Sequence, residues 1–170
     1  FVFSVVFTAR WGSSVGESKT AFAMLLFAGM IVHGLFAECL NRAPSLILSN
    51  ANYVKKVIFP LEVLPWVAFA SALFHAAISL LGLLLAQLLL DGQMPWTVVL
   101  FPVVLLPLVF ATMGLTWLTA SLGVYIRDVG QVTTMFTTIL LFMSGIFYPV
   151  SALPEEYQKW MRFNPLSYII

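Results

Sequence analysis

Charge is what this sequence has least of. Lysine, arginine, aspartate and glutamate make up 9% of its 170 residues, against about 25% in soluble domains. A chain this size cannot hide a composition that is 61% hydrophobic in one soluble core, so its apolar surface must face lipid. Cysteine is almost missing as well. Cys39 stands alone, which excludes an internal disulfide and any cysteine-rich metal centre. The net charge of +1 leaves no basic excess for a nucleic-acid partner. No repeat or low-complexity tract is present.

Where the charges are absent matters more than how few they are. None lies between Glu62 and Asp91, between Asp91 and Arg127, or between Asp128 and Glu155. Each gap exceeds the roughly 20 apolar residues that carry a helix across the hydrocarbon. A Lys, Arg or Asp at mid-bilayer costs about 2.5–3.5 kcal/mol on insertion scales, which explains such gaps. The expected spans are 21–41, 65–89, 97–121 and 130–148. Residues 1–9, FVFSVVFTA, read as the tail of a further span, since they lack the charged lead and small-residue cleavage site of a signal peptide. The sequence opens in mid-hydrophobe without Met and closes on Ile169-Ile170. It therefore reads as most of a six-span protein, with part of the first span and all of the last outside it.

Charge bias leaves the orientation tied. One side holds Arg42, Lys55, Lys56 and Arg127, and the other Arg10, Lys19, Lys159 and Arg162.

The breaks between spans carry the functional signal. In Pro44–Pro60, PSLILSNANYVKKVIFP, residues Ile47, Ala51, Val54 and Ile58 recur at helical spacing, while Ser49, Asn52, Lys55 and Lys56 fall largely on other faces. The spacing predicts an amphipathic helix over 44–60 lying along the membrane surface, either an interfacial anchor or a docking surface for a cytosolic partner. The second break, Tyr125–Gln131, holds the adjacent pair Arg127 and Asp128, which cannot face each other on a helix. The third is Phe147–Pro165, FYPVSALPEEYQKWMRFNP. Pro149 is expected to end the preceding span. Pro154 with Glu155 and Glu156 opens a short helix, Lys159 and Arg162 lie near its end, and Pro165 forbids continuation. A helix over 154–163 is too short to span, so it is interfacial or re-entrant, with Tyr157, Trp160 and Met161 available to lipid or a partner helix.

Two apparent sites fail on spacing or context. Residues 12–20, GSSVGESKT, place Gly12 and Gly16 too close together for a phosphate-binding loop, and Lys19 too far on. His33 and His75 have no cysteine or carboxylate at metal-ligand spacing. Glu38 is expected to pair with Arg42 one turn later, near a span end. A proton relay from His33 to Glu38 is the rival reading, weakened by their five-residue separation, and a simply buried His33 is the plainer alternative. Trp66, Trp96, Trp160, Tyr148 and Tyr157 fall near span ends, where rings form an interfacial belt or line a conduit through the bundle. Trp117 lies inside a span, fits neither reading cleanly and is expected to serve packing.

An ordered set of segments resembles a known family. Asn50-Ala51-Asn52-Tyr53-Val54-Lys55-Lys56-Val57-Ile58-Phe59-Pro60 with Val63-Leu64-Pro65, then Arg127-Asp128-Val129, Ser144-Gly145-Ile146-Phe147-Tyr148-Pro149 and Asn164-Pro165-Leu166, resemble the permease subunits of bacterial type-2 ABC exporters. The branch that exports O-antigen, capsule or teichoic-acid polysaccharides on a lipid carrier is the most similar.

The resemblance implies an all-α polytopic membrane helix bundle in the bacterial inner membrane, with re-entrant periplasmic gate helices. The 44–60 segment becomes the coupling helix, which docks a separate nucleotide-binding subunit through Asn50, Asn52, Val54, Lys55, Lys56, Phe59 and Pro60. Arg127 and Asp128 add a second cytoplasmic contact. Phe147, Tyr148, Pro149, Pro154, Tyr157, Trp160, Asn164 and Pro165 belong to a periplasmic gate or conduit, 149–165. This chain would hold no cofactor, ATP and Mg being on the partner subunit. The implied partners are that subunit, a second permease copy, membrane lipid and a lipid-linked glycan. Two alternatives stand beside this reading. One is a type-2 ABC exporter of a drug or other small molecule. The other is a membrane-embedded lipid-sugar transferase, against which the acids Asp91, Asp128, Glu155 and Glu156 are scattered over both faces.

Overall fold

The computed structural model describes residues 19–50, 60–92, 100–144 and 146. They form α1 (Lys19–Ser49), α2 (Val63–Asp91), α3 (Phe101–Tyr125) and α4 (Val129–Met143), with no strand among them. The first three are long and apolar enough to cross a membrane, over Ala23–Ser49, Val63–Leu90 and Phe101–Tyr125. This is a polytopic all-α membrane bundle.

Several boundaries differ from those expected, for local reasons. α1 does not stop near 41; it runs through Pro44 to Ser49. Pro44 withdraws the N–H that the Leu40 carbonyl would accept, but it packs in the bundle, and that packing carries the helix onward. Residues 44–49 therefore continue α1 instead of opening a separate helix at 44, and 51–59 lie outside the described residues. α3 begins four residues later than expected, with Pro102 in its first turn, where its missing N–H costs nothing. α4 ends at Met143, ahead of Pro149, so that proline is not what stops it. There the Ser144 hydroxyl turns back to the Leu141 carbonyl at 2.9 Å. α2 ends as its sequence allows. Gly92 takes a left-handed φ of 65° and donates its N–H to the Leu88 carbonyl at 3.1 Å.

α1 is the centre of the bundle and packs against each of the other three helices. Its buried stripe, Val32, Leu35, Phe36, Cys39, Leu40 and Ala43, follows the helical repeat. Phe69 and Ala72 of α2 and Leu105, Leu108 and Met113 of α3 complete the core. Lipid is as apolar as leucine, so close contact and interhelical hydrogen bonds hold such helices together, not hydrophobic exclusion. The crossing of α1 and α3 shows this best. A Cβ added to Gly123 would lie 2.6 Å from the Pro44 Cα and 2.8 Å from its carbonyl carbon, so only glycine lets the backbones touch. Beyond Ala72, by contrast, α2 turns no buried face to the bundle, and Leu81, Leu85 and Leu89 are exposed.

Candidate functional site

Three polar features interrupt the apolar bundle. The first joins α1 to α2. Arg42 and Glu38 form the expected pair, Nη2 to Oε1 at 2.8 Å. His75 of α2 then donates from Nδ1 to both oxygens of the same carboxylate, at 2.9 and 3.1 Å. A second Arg42 nitrogen donates to Ser71 Oγ at 3.2 Å. The cluster is not at a span end as expected, because α1 continues eleven residues past Glu38 to Ser49, about 16 Å of helix. His75 likewise sits twelve residues into α2, about 18 Å from its start.

The relay from His33 to Glu38 does not form. His33 is buried on the other side of α1, its Nε2–H donating to the Thr137 carbonyl of α4 at 3.0 Å. The Thr137 hydroxyl also donates to Asn41 Oδ1 at 3.3 Å, so α4 is pinned to α1 by two polar contacts one face away from the cluster.

A groove of about 560 Å³ runs between α1 and α2 past Glu38 and His75. Phe27, Met30 and Gly34 form one wall, and Ala76, Ser79 and Gly82 the other. Side chains this small on α2 leave the gap open where larger ones would close it.

The second feature is aromatic. Trp66 and Trp117 meet edge to face at 6.2 Å, and Trp66 meets Phe69 at 6.4 Å. The Trp117 Nε1–H donates to the Glu62 carbonyl at 3.3 Å, capping the turn that opens α2. Trp117 thus packs against Trp66 and binds the start of α2, partners that its position in α3 alone did not reveal.

The third feature is the set of helix ends on one face, where α1 finishes, α2 begins and α3 hands over to α4. The touch of Gly123 on Pro44 and the bond from Trp117 to Glu62 bring these ends together. Asn50 closes α1, its amide nitrogen donating to the Leu46 carbonyl at 2.8 Å. Pro60 opens the turn into α2, its carbonyl accepting from the Val63 N–H at 3.1 Å. Ile126 ends α3 in an extended conformation, and Arg127 and Asp128 follow it, both exposed. Neither forms an ion pair with another described residue, which leaves both free for a partner. Asn52, Val54, Lys55, Lys56 and Phe59 lie outside the described residues, as do Phe147, Tyr148, Pro149, Pro154, Tyr157, Trp160, Asn164 and Pro165.

The family model for the ABC-2 type transporter matches residues 1–170. The chain belongs to the ABC-2 type transporter family. It is a multi-pass membrane component of such a transporter. Among curated proteins, this ABC-2 chain is similar to the O-antigen export system permease protein RfbA of Myxococcus xanthus, with 30% identity over 148 residues. That match covers 85% of this chain and 56% of the relative. A protein of the same name from Klebsiella pneumoniae is 22% identical over 154 residues, 88% of this chain and 58% of the relative. The chain thus spans little more than half the length of the curated relatives it matches.

Proposed function

We propose that this chain belongs to the permease subunit of an ATP-driven exporter that moves a lipid-linked, O-antigen-like polysaccharide across the bacterial inner membrane. The observation that carries the reading is the similarity to O-antigen export permeases along 85% of the chain. The helix ends support it: two exposed charges and four helix termini share one face, a surface a cytosolic motor can engage.

In this reading two copies of the permease enclose the path, and each binds a nucleotide-binding subunit that carries ATP and Mg and performs hydrolysis. Closure of those subunits presses on 44–60, whose first residues, 44–49, continue α1, and on Arg127 and Asp128. The helices move, and the far-side gate, 149–165, opens for the glycan. The test is the triple variant Val54→Asp, Lys55→Glu, Lys56→Glu in the full transporter. Export and permease-stimulated ATP hydrolysis are expected to fall together. If both persist, the docking role is wrong. If hydrolysis responds to the permease but only small molecules cross, the drug-exporter alternative replaces the polysaccharide.

A further inference from the structure

We infer that the Arg42–Glu38–His75 cluster is a hydroxyl-binding site on a water-filled wall of the export path, reached through the α1–α2 groove, with sugar units of the carried glycan as its ligand class. The inference rests on the polysaccharide reading above.

Depth and exposure come first. Glu38 lies six residues before Pro44, where the proposed docking segment begins, and His75 twelve residues into α2, about 9 and 18 Å along their helices from the 62/125 face. Yet the side chains of Arg42 and His75 are 49% and 53% exposed. Ionisable groups at such depth do not face hydrocarbon; they turn to a polar partner or to water. Arg42 lies seven residues before the end of α1 and reaches toward Glu38, away from the nearer surface, so it does not escape by snorkelling.

The unused valences identify the occupant. Arg42 commits two nitrogens, to Glu38 and Ser71, and leaves further N–H donors over. His75 commits Nδ1 to Glu38, and its Nε2 faces no described partner. Glu38 keeps lone pairs beyond those it gives Arg42 and His75. Donors and acceptors therefore stand side by side at the mouth of the groove. A hydroxyl both donates and accepts, so water and sugar satisfy such an array where lipid cannot. The walls suit the same ligand: Phe27 and Met30 offer apolar surface to the carbon face of a sugar, and Ala76 and Gly82 leave it room. The site has one net charge of each sign on Arg42 and Glu38, which favours a neutral polyhydroxylated chain over a charged one.

The test places cysteine at Ser79, one turn from His75 and on the groove, in the full permease assembled with its nucleotide-binding partner. Leu81→Cys and Leu85→Cys, exposed outside the groove, serve as comparisons, and native Cys39 is fully buried. The probe is a charged, membrane-impermeant methanethiosulfonate. Ser79→Cys is expected to react about 100-fold faster than Leu81→Cys, the factor to which the cost of carrying a charge into hydrocarbon converts. Modification is expected to stop glycan export while ATP hydrolysis continues. Equal, slow reaction at the two positions overturns the inference and shows that lipid or another protein segment covers the cluster. Fast reaction with unimpaired export overturns it too, since the wet groove then lies off the path. An unmodified transporter that exports no glycan defeats the polysaccharide reading itself, whatever the labelling shows.

Discussion

Glu38 and His75, 37 positions apart in sequence, join α1 to α2 through a carboxylate that receives the imidazole N–H at 2.9 and 3.1 Å. Arg42 holds the same carboxylate from within α1, so the three side chains act as one unit. A double-mutant cycle on Glu38→Gln and His75→Asn measures what the interhelical part contributes. Bonds of this kind between membrane helices are worth about 0.6–1.7 kcal/mol, and a coupling in that range is expected from unfolding in detergent–lipid micelles. Strict additivity, within about 0.3 kcal/mol, would show that the contact is not energetically real.

The contact of Gly123 with the Pro44 backbone leaves no room for a methyl group. Gly123→Ala is expected to lower stability by about 2 kcal/mol, because backbone, unlike a flexible side chain, cannot yield to the overlap. Gly114→Ala on the same helix meets nothing within 4 Å. It is expected to be neutral or to stabilise by up to about 1 kcal/mol through helix propensity. Thermal unfolding of both variants in one detergent decides the matter, and equal effects would refute the close crossing.

Trp117 serves α2 in two ways, by ring contact and by its N–H. Trp117→Phe keeps a ring and removes the bond to the Glu62 carbonyl, with an expected cost of about 1 kcal/mol. Trp117→Ala loses the edge-to-face pair with Trp66 as well, adding about 0.5–1.5 kcal/mol beyond lost area. Near-ultraviolet circular dichroism should report the loss of the indole pair in both variants.

Thr112 and Thr137 predict opposite responses to the same replacement. The Thr112 hydroxyl is buried without a hydrogen-bond partner among the described residues, so Thr112→Val removes a polar group that none of them compensates. A gain of about 1 kcal/mol is expected. Thr137→Val breaks the bond to Asn41 and is expected to cost about 0.6 kcal/mol. Unfolding midpoints that move in the same direction for both would contradict the hydrogen-bond assignment.

How much of this was legible in the sequence depends on how local the cause is. The Glu38–Arg42 pair follows from four-residue spacing and forms as expected. The gaps between charges place α2, α3 and α4 to within about five residues, because insertion cost acts on sequence windows. Pro44 misled, since its effect on a helix depends on what packs around it, and the bundle holds α1 together to Ser49. His75 carried no signal at all. Its carboxylate comes from another helix, and neither periodicity nor spacing encodes a partner 37 residues away. Trp117 was opaque for the same reason, its acceptor lying 55 residues back.

Arg127 and Asp128 stand exposed between α3 and α4. Arg127→Glu and Asp128→Lys are expected to leave stability within about 0.5 kcal/mol, as for other surface changes. In the assembled transporter they should nonetheless reduce stimulation of ATP hydrolysis by the permease. Undiminished stimulation with the doubly reversed chain would remove this turn from the docking surface.

The touch of Pro44 on Gly123 divides α1 unequally. Ser49 lies five positions after Pro44 and Lys19 twenty-five before it, arms of about 8 and 38 Å. With no side chain between the two backbones, this point can serve as a fulcrum. For a rigid α1 turning about it, a 1 Å push at the Ser49 end, an illustrative stroke, becomes a swing of roughly 5 Å at the far end. The short arm faces the proposed motor and the long arm borders the groove. A rigid α1 turning on that contact would amplify displacement, trading force at its short end for travel at its long one.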